Sequence, residues 1–91
     1  MAFTYKQKFN KKYGFEPSQP HSLADISRIT GYKKSGLDTI FSKGVGAYKT
    51  NPQSVRKGIR SPEAWAYGRT YSAVMGGKAA KIDAKHLIRA P

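Results

Sequence analysis

The side chains most able to do chemistry in this chain are cations. Between Gly44 and Arg60 stand Lys49, Arg56, Lys57 and Arg60 with no Asp or Glu among them. Unopposed ammonium and guanidinium groups of this kind suit phosphate oxygens, which accept strong charge-assisted hydrogen bonds. Gly44, Gly46, Asn51, Pro52 and Gly58 interrupt the same stretch, so residues 44–60 are expected to form a long basic loop whose four cations hold a phosphate backbone. Catalytic chemistry has no comparable source. The two histidines, His21 and His86, and the five carboxylates fall in separate segments, without the spacing of metal ligands or of an acid-base pair. Gly76, Gly77 and Lys78 lack the flanking residues of a phosphate loop. The expectation is a non-enzymatic protein with no metal or cofactor, in which both histidines are surface or capping groups.

The charge balance points the same way. Seventeen Lys and Arg against five Asp and Glu give a formal net charge of +12 over 91 residues. A compact chain so charged repels itself and favours a polyanion, nucleic acid foremost, as its neutralising partner. There is no cysteine to staple the thin core of so short a chain. Lys6, Lys8, Lys11 and Lys12 precede no apolar run, and nothing approaches the roughly 20 apolar residues of a membrane span. A protein that is neither secreted nor membrane-bound is expected.

These cations need elements to position them. Tyr5, Phe9 and Tyr13 repeat at helical spacing, which predicts three rings packed along one face with lysines outward. Residues 1–20 thus form a basic aromatic segment closed by the linker Glu16, Pro17, Ser18, Gln19 and Pro20, ahead of a domain over 21–91. Ser22 and Asp25 make a capping-box start for a helix with Leu23, Ile26 and Ile29 on one face, stopped by Gly31. Ser35 and Asp38 repeat that pattern before Leu37, Ile40 and Phe41, with Gly44 as the stop. Ser61, Pro62 and Glu63 open a third, amphipathic helix bearing Ala64, Tyr67, Tyr71 and Val74, with Trp65 in the core and Gly76 and Gly77 as its end. A basic tail follows from Lys78, and Asp83 caps a short helix over 84–88. The fold class is mainly α: a small helical domain with a helix-turn-helix, a long basic loop and a third amphipathic helix.

From Asp25 to Phe41 the order of residues, with Ser27 at a close crossing, Gly31 at the turn and Leu37 and Ile40 set to face Ile26 and Ile29, resembles the helix-turn-helix of the lactose-repressor family. The resemblance spans residues 22–43. It implies that the second helix enters a DNA major groove, where Lys33, Lys34, Ser35 and Thr39 meet bases and phosphates. Lys33 stands where that family usually has Ser or Thr.

Longer runs carry a second resemblance. His21, Ser22 and Leu23, the stretch from Gly44 to Tyr48 leading to Asn51, Pro52, Gln53, Ser54, Val55 and Arg56, then Ser61 to Trp65 and Met75 to Ala79, are similar to an uncharacterised family of short basic proteins. Its members are encoded by large DNA viruses of algae and by tailed phages of cyanobacteria. That resemblance implies a viral origin and a place in the virion or the host cell interior. Two functions are therefore expected as alternatives: a nucleic-acid-binding protein with DNA as the favoured partner, or a minor structural protein of the virion that contacts capsid neighbours and packaged DNA. The sequence leaves the oligomeric state open.

Overall fold

The computed structural model describes residues 4–50 and 61–89, and the described chain is mainly helical. Helix α1 (Tyr5–Tyr13) opens on a capping box in which the Thr4 hydroxyl accepts from the Gln7 N–H and the Gln7 side chain accepts in return from the Thr4 N–H. Helix α2 (Leu23–Thr30) uses the same device through Ser22 and Asp25. The Asp25 carboxyl is held below its usual range, first by the Ser22 backbone N–H and then by Arg28. Helix α4 (Pro62–Val74) begins on Ser61, whose hydroxyl accepts from the Ala64 N–H, with Pro62 in the first turn.

Helix α3 (Lys34–Thr50) corrects the expected boundaries at both ends. It starts one residue before Ser35, with the Lys33 carbonyl accepting from the Leu37 N–H. Ser35 therefore lies inside the helix, and Asp38 pairs with Lys34 instead of completing a capping box. Gly44 does not stop the helix. A Cβ built on Gly44 would stand 2.7 Å from the Ala66 Cα of α4 and 3.0 Å from its Cβ, so glycine is present because two helices cross there at close range. Residues 44–50, expected in the loop, are therefore helical, and the remainder of that stretch lies outside the described residues.

The core sits between α2, α3 and α4. Ile26, Leu37, Ile40 and Ala66 are fully buried, and α3 and α4 form the most extensive interhelix contact. Helix α1 closes one side through Phe9, which is fully buried and meets Tyr71 edge-on with ring centroids 5.2 Å apart. Trp65, expected in the core, is only half-buried, whereas Tyr71 is buried and its phenol is pushed up to about 12 by desolvation.

His21 also departs from expectation. It is buried among the rings of Phe9, Phe15 and Tyr71. Its Nε2 lies 2.6 Å from the Asn10 side-chain oxygen, while the Asn10 amide donates to the Pro17 and Gln19 carbonyls. The linker is thereby fastened to α1, and its backbone polar groups find partners inside the fold. Helix α5 (Lys78–Ile82) forms where only a basic tail is expected, and a 3₁₀ turn (Ala84–His86) follows Asp83 in place of the longer helix expected over 84–88. Asp83 caps neither. It is fully buried, with Arg69 donating to both of its oxygens at 2.8 Å. That pair raises the guanidinium of Arg69 and pins α5 to α4.

Two outcomes follow for stability. Burial lowers the pKa of His21 from 6.5, so below that pH the unfolded chain takes up a proton that the folded chain resists. Stability is therefore complete above about pH 6.5 and declines as the pH falls below it. Melting temperatures across this range should drop in the native chain and flatten in His21→Gln. Gly44→Ala should destabilise by a net amount of about 1–2 kcal/mol, because overpacking against the Ala66 backbone outweighs the helix propensity of alanine. An unchanged or raised melting temperature would show that α3 and α4 do not meet at that distance.

Candidate nucleic-acid interface

Helices α2 and α3 are joined by residues 31–33. Gly31 adopts φ 82°, and its N–H bonds the Ser27 carbonyl, which ends α2 and redirects the chain. The Ser27 hydroxyl reaches across the turn to donate to the Tyr32 carbonyl at 2.5 Å. From the far end of the chain, Arg89 donates to the Thr30 carbonyl at 2.9 Å and lies over the Tyr32 ring, 4.7 Å from its centroid. The Lys33 N–H bonds the Ile88 carbonyl at 2.7 Å, and Tyr32 and Arg89 form an isolated antiparallel bridge. The turn is thus held by the C-terminal segment, a contact that local sequence does not announce.

The same segment explains Gly36, which is otherwise a poor residue for a helix's first turn. A Cβ on Gly36 would overlap the His86 carbonyl oxygen. His86 is accordingly half-buried, with its Nε2 buried and without a hydrogen-bond partner among the described residues, and is not the surface or capping group expected.

Lys33, Lys34 and Ser35 stand exposed at the start of α3, and Thr39 follows one turn on with its hydroxyl donating to the Ser35 carbonyl. The structure brings these four together. Lys34 lies 3.1 Å from Asp38 in a solvent-exposed i, i+4 pair, the sort of pair that contributes little and can exchange its partner. Lys49 is exposed in the last turn of α3, at the other end of a helix about 25 Å long at about 1.5 Å per residue. Arg56, Lys57 and Arg60 lie outside the described residues.

Because α3 continues past Gly44, it presents more than the sequence suggested. Ser35, Thr39, Ser42, Gly46 and Lys49 recur at spacings of three and four, and all but the half-exposed Thr39 are exposed. They form a narrow polar face of short side chains with exposed Lys43 beside it. Ser42 and Lys43 precede Gly44 and stand within the expected helix, so the spacing of Ser42 from Ser35 is legible in the sequence, whereas Gly46 and the approach to Lys49 lie beyond the expected stop. No acid lies in the first turn of α3, in contrast to Asp25 in α2 and Glu63 in α4. Lysines at the positive end of a helix dipole are electrostatically unfavourable until an anion joins them.

The family model for a family of unknown function (DUF5824) matches residues 2–89. The chain belongs to that family. Neither the curated proteins nor the solved structures contain a match to it. Among the described residues no helix is long and apolar enough to cross a membrane.

Gly36→Ala provides a check on this geometry. The added methyl group should displace His86 and loosen the 86–89 segment from the turn, lowering stability by about 1–3 kcal/mol, or about 4–8 °C in melting temperature per kcal/mol for a domain of this size. Amide exchange at Lys33, whose N–H bonds Ile88, should accelerate in step. Slow exchange at that amide in the variant would mean that His86 does not rest on Gly36.

Proposed function

We propose that this chain is a viral nucleic-acid-binding protein, with DNA as the favoured ligand, that acts by binding and not by catalysis. The observation that carries the reading is the α3 N-terminus. Two exposed lysines stand there on the positive end of a helix dipole, with no acid in the first turn and only the half-exposed Asp38 one turn on beside Lys34, at the head of an exposed polar face. A phosphate placed among Lys33, Lys34 and the first N–H groups of α3 relieves that unfavourable arrangement. Ser35, Thr39 and Ser42 are short enough to let the helix approach base edges, in the manner of the helix-turn-helix proteins that residues 22–43 resemble. Lys43 and Lys49 extend the phosphate contacts along α3, and Arg56, Lys57 and Arg60 complete the set.

A second reading, as a minor structural or cement protein of a virion, draws support from a different observation. Ile82 and Ile88 are well exposed, with relative accessibilities of 67% and 50%, and apolar groups left outside a small core suit a protein neighbour.

Salt separates the two. Binding of the full chain to a random duplex should weaken as salt rises, with a log-log slope of roughly −4 to −5 for about four to six phosphate contacts. Lys43→Ala and Lys49→Ala should each flatten the slope by about 1 while leaving the fold intact. A folded sample whose duplex binding ignores salt would end the nucleic-acid reading, and high copy number in purified particles without duplex binding would favour the structural one.

A further inference from the structure

The geometry points to a second binding surface, a groove between α1, α4 and α5 that takes an acidic amphipathic helix of another protein. This groove of about 810 Å³ is separate from the face of α3, and the inference stands whether or not that face carries DNA. Tyr5 and Lys6 come from α1, Trp65 and Gly68 from α4, and Lys78 and Ile82 from α5. The walls are mainly carbon, and no carboxylate is among the lining residues. Arg69, which also lines it, is already committed to Asp83, whereas Lys6 and Lys78 are in no ion pair among the described residues.

Two features have no account within the described chain. The indole N–H of Trp65 is buried without a hydrogen-bond partner among the described residues, although buried donors are nearly always satisfied. Gly68 lies in the interior of α4, where glycine weakens a helix, yet a Cβ there would meet none of the described residues within 4 Å. At Gly44 and Gly36 the missing side chain admits a neighbour of the same chain. At Gly68 no described residue takes that place, and the glycine leaves room for close approach of a second backbone over α4.

Charge and surface select the occupant. A second copy of the chain would bring another +12 to a groove edged with lysines. Nucleic acid would satisfy the lysines but has little besides base faces for a carbon-lined groove. An acidic amphipathic helix matches both properties, with apolar side chains against Tyr5, Trp65 and Ile82 and carboxylates reaching Lys6 and Lys78. The groove volume is on the scale that seats several side chains, within about 300–1,000 Å³.

Trp65 is the sole tryptophan of the chain, so its emission reads the groove directly. The probe is a Leu/Ala/Glu peptide of about 16 residues, roughly four helical turns, added to the full-length protein. Controls are the same peptide with every Glu replaced by Lys, and an oligothymidylate. The acidic peptide should shift Trp65 emission to saturation, and the lysine peptide should not. Gly68→Gln, which lays a long side chain across the groove on a good helix former, should weaken binding by about tenfold, or about 1.4 kcal/mol. Lys6→Glu combined with Lys78→Glu should weaken it comparably. Lys12→Glu combined with Lys85→Glu, away from the groove, should leave it little changed, which separates local from overall charge. The proposal falls if Trp65 ignores the acidic peptide, if the lysine peptide binds equally well, or if the two charge doubles behave alike. It falls too if oligothymidylate displaces the peptide, which would make the groove a stacking site for single strands. Duplex binding and its salt slope are measured independently, so failure here leaves the reading of α3 standing.

Discussion

The arrangement depends on how closely α3 approaches α4 at Gly44 and Ala66. A chain of this size has few apolar groups to bury, so its helices must meet at short range to exclude water from them. With a hydrogen in place of a side chain at the crossing, Leu37 and Ile40 on α3 can be sealed beneath α4. Helix α4 then carries Tyr71 to Phe9 on one side and Arg69 to Asp83 on another, and through these α1 and α5 are hung on the same pair. A wider crossing would release both attachments, because an edge-on ring contact and a bidentate ion pair are each exacting in distance.

Few acids are available, and their placement shapes the rest. Asp25 serves the start of α2 and pairs with Arg28, Asp38 pairs with Lys34, and Asp83 is buried against Arg69. Each is used within the fold, close to a single cation, and the lysines far outnumber what remains. The molecule is therefore held together by apolar contact and short-range pairing while its surface repels itself, a balance that a polyanion or an acidic protein shifts toward the folded state. The same imbalance links the two surfaces, because on the face of α3 only Lys34 has an acid beside it and the rim of the groove has none.

Local signals served well wherever a residue acts on its own neighbours. The capping box of Ser22 and Asp25, the start at Ser61, Pro62 and Glu63, and the apolar spacing of Ile26, Leu37 and Ile40 describe interactions that close within a few residues. They were legible for that reason. Lys33, Lys34, Ser35 and Thr39 likewise lie together, because Lys33 immediately precedes α3 and the other three share its first turns. The far half of α3, helix α5 and the burial of Asp83 against Arg69 are not legible in the same way, since neither the reach of α3 nor the partner of Asp83 can be seen from adjacent residues.

Sequence alone settled the helical character, the excess of positive charge and the starts of α2 and α4, since propensity, capping and charge are properties of short stretches. Tertiary structure decided what the ambiguous residues do. Glycine at position 44 can end a helix or admit another, and only the presence of Ala66 opposite selects the second role. His21 and Asp83 can face water or a buried partner, and their burial depends on Asn10, Tyr71 and Arg69 arriving from other elements. The physical reason is common to all three. A polar or small side chain has no intrinsic preference strong enough to outweigh the neighbours that folding brings to it.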